Sequence, residues 1–135
     1  MISDQQTSEL RESAKRASEN AYCCYSRFSV GASALTSSGK IYSGCNIENA
    51  SYGLAICAER TAIFNAVSSG EREIVAVAIY TPTEKPTAPC GACRQVINEF
   101  GPEATIFCGC DGSDSLQLRL DELLPSAFGP NDLAS

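Results

Sequence analysis

A chain of 135 residues is near the commonest domain length and can bury one hydrophobic core, so a single domain over 1–135 is expected. Its apolar fraction of 44% and charged fraction of 19% are ordinary for a soluble protein, and no apolar run approaches the ~18 residues of a membrane span. A net charge of −6 and a pI near 4.6 argue against a protein that grips long nucleic acid through its phosphates, and favour a small, near-neutral ligand. The opening Met1-Ile2-Ser3-Asp4-Gln5-Gln6 lacks the basic start and apolar stretch of a secretory signal, so a reducing, cytoplasmic location is expected. Eight cysteines there suggest metal binding or packing rather than disulfides.

Leu10, Ala14, Ala17 and Ala21 recur at helical spacing between polar residues and predict an amphipathic helix over roughly 5–21. Residues 28–36 and 41–46 are β-prone runs joined by Ser37-Ser38-Gly39-Lys40, which reads as a hairpin with glycine in the turn. A loop-like stretch follows as far as Cys57. From Cys57 to about Ser68 the pattern is helical, with Ala62, Ile63, Ala66 and Val67 in one buried stripe that also carries Glu59. A carboxylate on a buried face is costly unless something stabilises it, although the positive end of a helix favours Glu by itself. Ile74 to Ile79 is a continuous apolar run, which predicts a strand buried on both faces and helices on both sides of the sheet. Residues 91–100 predict a second short helix with Cys93, Val96, Ile97 and Phe100 on one face, Cys90 at its entrance behind Pro89, and the thiols facing inward. Thr105–Cys108 and Leu116–Arg119 read as further strands, and Leu120–Leu124 as a short helix ended by Pro125. The sum is an α/β fold, a three-layer α/β/α sandwich around a five-stranded mixed sheet.

The chain has no histidine, so serine-histidine and cysteine-histidine nucleophilic mechanisms are excluded in their usual forms. Neither a Walker A loop nor a dinucleotide fingerprint is present. What stands out is Cys57-Ala58-Glu59 followed by Pro89-Cys90-Gly91-Ala92-Cys93. Three thiolates and one carboxylate suit a catalytic zinc ion, which takes three protein ligands and leaves a fourth position to water, with an acid/base beside it. Both cysteine blocks open a predicted helix, where the dipole favours thiolate, and Arg60 could offset the remaining negative charge. A closed structural site of Cys90, Cys93, Cys108 and Cys110 is the rival, with Cys57 as core packing; it leaves Glu59 unexplained. Cys23, Cys24, Cys45, Cys108 and Cys110 otherwise read as small buried hydrophobes.

Five ordered blocks carry a resemblance. They are Tyr25-Ser26-Arg27-Phe28-Ser29-Val30-Gly31-Ala32, the run from Gly44-Cys45-Asn46-Ile47-Glu48 to Gly53, the two cysteine blocks extended to Ala62 and Val96, and Leu123-Leu124-Pro125-Ser126-Ala127-Phe128. Over nearly its full length the chain resembles the small, homotetrameric cytidine deaminases of pyrimidine salvage. The resemblance implies hydrolytic deamination of cytidine and 2′-deoxycytidine, with one zinc per subunit on Cys57, Cys90 and Cys93 and with Glu59 as proton shuttle. It implies that Asn46 and Glu48 hydrogen-bond the ribose, that Phe28 packs beside the nucleoside, and that the Ala58 N–H reaches the base carbonyl. Arg60 would hydrogen-bond the zinc-binding thiolates, and Phe128 would enter a neighbouring subunit's pocket. Without the resemblance, Asn46 and Glu48 read as turn chemistry and Phe128 as a core anchor. The chain departs from the family at Cys23-Cys24, where Ala-Pro or Val-Pro is usual, and this predicts a looser turn leading to Phe28; Cys108 and Cys110 are also unusual. Two alternatives stay open: a sister deaminase for another aminopyrimidine such as blasticidin S, against which Asn46-Ile47-Glu48 speaks, and a non-catalytic structural zinc module.

Overall fold

The structure, a computed structural model, describes residues 2–134. Helix α1 (Asp4–Ser18) starts in a capping box: the Gln6 N–H donates to the Ser3 hydroxyl at 3.1 Å and the Ser3 N–H to Gln6 Oε1 at 3.0 Å. The helix stops at Ser18 rather than 21, because the Tyr22 N–H is taken by the Asn46 carbonyl at 3.0 Å. Ala21 therefore lies outside the helix and Ala17 is only half-buried, leaving Leu10, Ala14 and Ser18 as its buried face.

Strands β1 (Gly31–Thr36), β2 (Ile41–Cys45), β3 (Ile74–Tyr80), β4 (Thr105–Gly109) and β5 (Leu116–Arg119) form one five-stranded sheet in the order β2-β1-β3-β4-β5. Only β3 and β4 run parallel; the other neighbours are antiparallel, so the sheet is mixed as expected. Gly39, at φ 88°, makes the hairpin turn. β1 begins at Gly31 and not at residue 28, because the Asn46 side chain replaces the ladder there.

Side chains alternate across the strands and split the core into two layers. Ala32, Ala34, Val77, Ile79, Ile106 and Cys108 face α2 (Ala58–Ser68), α3 (Gly91–Phe100) and α4 (Leu120–Leu123). Leu35, Ala76, Ala78 and Phe107 face Leu10 and Ala14 of α1 on the other side. That is the expected α/β/α sandwich, completed by a short α5 (Pro130–Leu133). α4 ends at Leu123, one residue before the predicted limit, and Val67, Val96 and Phe100 sit at the rim of the core, half-buried. Gly44 lets β2 touch α2: a Cβ there would lie 2.6 Å from the Ala62 nitrogen. Among the described residues no helix is long and apolar enough to cross a membrane.

Candidate metal centre and cleft

Cys57 and Cys90 are the N-caps of α2 and α3, both with extended backbone, and Cys93 lies in the first turn of α3. Neither N-cap side chain bonds its own helix, which leaves both sulfurs free to point at a common centre. All three Sγ atoms lie within 4.8 Å of one another, the one such group of three or more metal-ligating side chains among the described residues. Cys57 Sγ and Cys90 Sγ are 3.8 Å apart. Two sulfurs ~2.3 Å from a shared tetrahedral ion would be ~3.8 Å apart, so the spacing fits zinc without rearrangement. The rival four-cysteine site does not form: Cys108 is buried in the sheet core, and the Cys110 thiol lies against the carbonyl oxygens of Glu84 at 3.4 Å and Asp114 at 3.3 Å, either of which can accept its proton.

The surroundings favour thiolate at Cys57. A hydrogen bond from Cys93, followed by one from Arg60 Nη2 at 3.3 Å, lowers its pKa to about 5. The Cys93 thiol shifts upward, through that same bond and through burial. Cys93 is buried and Cys90 is exposed where it lines the cleft, yet both sulfurs belong to the same cluster, so the thiols of this pair turn inward as predicted. Arg60 Nε is buried with no hydrogen-bond partner.

Glu59 follows Cys57 by two residues and is 5% exposed, on one stripe with Ala62, Ile63 and Ala66. Burial, reinforced by the nearby Cys57, pushes its carboxyl above the ordinary carboxylate range. Both residues line a cleft of about 330 Å³ together with Phe28, Asn46, Glu48, Ala58, Arg60 and Cys90. Eight of the nine residues singled out in the sequence on this chain's own cleft are thus brought together, with Cys93 directly behind them. Ser26, Val30, Ile79, Thr87 and Ala88 also line it and escaped the sequence reading. Ser26 lay inside a recognised block, and Thr87-Ala88 immediately precedes Pro89-Cys90, so position alone marked them.

A family model described as the cytidine and deoxycytidylate deaminase zinc-binding region matches residues 4–109. The chain belongs to this deaminase family. A protein named cytidine deaminase from Halalkalibacterium halodurans is 49% identical over 92% of this chain and 95% of its own length. One of the same name from Sporosarcina psychrophila is 48% identical over 93% of each. The crystal structure of a cytidine deaminase from Burkholderia pseudomallei superposes with a TM-score of 0.86 at 45% identity, covering 94% of this chain and 100% of the other. The chain's Cys57, Cys90 and Cys93 cluster and the family's zinc-binding region agree on one zinc per subunit.

In this deaminase the sugar-side candidates first serve the backbone. Asn46 Oδ1 accepts from the Val30 N–H at 2.9 Å, and its Nδ2 donates to the Phe28 carbonyl at 2.7 Å. Glu48 Oε1 accepts from the N–H groups of Tyr25 and Ser26, each at 3.0 Å, and Oε2 accepts from the Ser26 hydroxyl. Those bonds, the Ser26 hydroxyl foremost, hold the Glu48 carboxyl below the ordinary range. The same turn also carries a bond from the Arg27 N–H to the Cys23 carbonyl at 2.8 Å, and Arg27 sits at φ 59°. Cys24 is exposed, and Cys23, Cys45 and Cys110 are half-buried, which leaves Cys108 as the one thiol of that set packed as a core hydrophobe. Phe128 is 59% exposed and lies outside the cleft of its own chain, with its carbonyl held by Gln95 Nε2 at 2.8 Å; it is no core anchor.

Proposed function

We propose that this chain, acting as one domain, hydrolyses cytidine and 2′-deoxycytidine to uridine and 2′-deoxyuridine with release of ammonia. The observation that carries the reading is the convergence of three Sγ atoms within 4.8 Å beside the buried carboxyl of Glu59 in one cleft. Cys57, Cys90 and Cys93 hold zinc, which when bound lowers the pKa of a water toward neutrality. Glu59 moves the protons: its carboxylate accepts one from the attacking water and delivers it to ring N3, then takes a second from the hydroxyl added at C4 and delivers it to the departing 4-amino group as the carbonyl forms.

The remaining contacts orient the nucleoside. Ala58 occupies the first helical position of α2, where an N–H has no intrahelical acceptor, and it donates to the base carbonyl. Asn46 keeps one N–H and one lone pair after its backbone bonds, and Glu48 keeps about one acceptor site; these serve the sugar hydroxyls. Phe28 flanks the nucleoside, and Arg60 steadies the thiolates through Cys57. Phe128, exposed on its own chain, completes a neighbour's cleft in a cytoplasmic homotetramer, and its exposure supports that role.

Purified zinc-loaded protein mixed with cytidine tests the reading, with uridine and ammonia followed together and sedimentation run alongside. Stoichiometric uridine and ammonia from a tetramer is the expected result. A folded, zinc-loaded protein that leaves cytidine unchanged overturns the substrate, and full specific activity in a monomer overturns the composite cleft.

A further inference from the structure

The segment after β3 forms one wall of the cleft through Thr87 and Ala88 and then delivers Cys90. Its ends are fixed, since Thr81 and Pro89 are fully buried. Residues 82–88 between them have no regular secondary structure and are exposed or half-buried. Among the described residues, the hydrogen bonds that tie this stretch to another part of the chain come from the segment after β4. The Asp111 N–H donates to the Thr83 carbonyl at 2.9 Å, and the Cys110 thiol donates to the Glu84 carbonyl at 3.4 Å. The same sulfur lies 3.3 Å from the Asp114 carbonyl oxygen, so this one residue sits between the turn and the wall. The Tyr80 hydroxyl, at the base of the wall, donates to the Asp111 carboxylate. Gly112 lies against the same backbone so closely that a Cβ would sit 1.9 Å from the Glu84 carbonyl oxygen.

We propose that Cys110 and Gly112 are positioning residues for the deamination, buttressing the backbone at 83–85 and thereby fixing the Thr87-Ala88 wall that borders the substrate. Neither residue touches the zinc ligands, so their effect reaches the reaction through substrate placement. A methyl at Gly112 needs a shift of about 1 Å before the Glu84 carbonyl is tolerated, and misplacements of that size far from the chemistry cost up to about a hundredfold. Removing the thiol donor deletes one hydrogen bond, worth about two- to tenfold.

The kinetic readout rests on the cytidine deaminase reading above; the exchange readout does not. Zinc-loaded wild type, G112A, C110A and C110S are compared by steady-state kinetics on cytidine, zinc content, and hydrogen exchange over residues 82–88. G112A is expected to raise KM about tenfold with kcat within about twofold and zinc unchanged, and to speed exchange across 82–88. C110A is expected to raise KM about two- to tenfold, and C110S to recover most of the loss because its hydroxyl donates from nearly the same place. Wild-type KM and exchange in folded G112A overturn the proposal, as does a loss confined to kcat or to zinc. Should G112A fail to fold, C110A with wild-type KM and exchange overturns it. A wild type inactive on cytidine defeats the substrate reading instead, and the exchange comparison alone then decides the buttress.

Discussion

Replacing Arg60 with alanine removes the cation that sits against the sulfurs of Cys57 and Cys93. With a zinc ion the thiolates leave one net negative charge, which Arg60 balances from Nη2 at 3.3 Å from Cys57 Sγ. A hydrogen bond to a charged group contributes about 1.5–3 kcal/mol, which at ~1.4 kcal/mol per decade is roughly ten- to 150-fold in zinc affinity. Mutation of outer partners at other metal sites costs about ten- to a hundredfold, so two routes give one range. The metal-free fold should move much less. Arg60 Nε is buried without a partner, and deleting the side chain relieves that orphan donor while losing the Cys57 contact. Competition for zinc against a chromophoric chelator at neutral pH reads the affinity, and unfolding of the metal-free protein reads the fold. R60K should fall between wild type and R60A, since it keeps the charge without the planar fork. R60A that binds zinc within twofold of wild type refutes the role of Arg60.

Glu59→Gln should keep zinc and lower kcat by about 10²- to 10⁴-fold, measured by single-turnover conversion of cytidine; a tenfold loss or less removes Glu59 from the proton transfers. Because burial raises the folded pKa of Glu59 above its unfolded value, its ionisation weakens the metal-free fold as pH rises through that folded pKa. The metal-free Gln variant should therefore be the more stable at neutral pH, and the gap should close below the unfolded pKa. Gly44→Ala should force α2 away from β2, with a Cβ 2.6 Å from the Ala62 nitrogen, and lower stability by about 1–3 kcal/mol in urea unfolding. Glu48→Gln should raise the cytidine KM and speed hydrogen exchange at 25–28, because an amide cannot accept at both ends as this carboxylate does.

Much of this was legible in the chain, for identifiable reasons. The Ile74–Tyr80 strand announced itself because a strand covered by helices on both faces must be apolar at nearly every position. The Glu59 stripe was readable because helical spacing fixes which residues share a face, whatever the tertiary partner. The spacing of Cys90 and Cys93 likewise showed two sulfurs on one turn, but that Cys57 joins them depends on how α2 and α3 sit together, which no local pattern contains. The errors have the same cause. Ala21 fits the α1 stripe but is lost from the helix because Tyr22 pairs with Asn46, 24 positions away. Residues 28–30 look like strand yet are held by an amide side chain. The packing of Gly112 on Glu84 joins two irregular segments that carry no periodicity at all.

Cys57 and Cys90 are 33 residues apart in sequence, and the segment between them contains the whole of α2 and of β3. A metal gripping both is therefore a reversible crosslink through the middle of the chain. A covalent tie closing a loop of this length restricts the unfolded ensemble by about 3–4 kcal/mol. The same ion that serves chemistry thus acts as a staple between the two helices on one side of the sheet, and chelation should convert a resistant protein into one that proteases open.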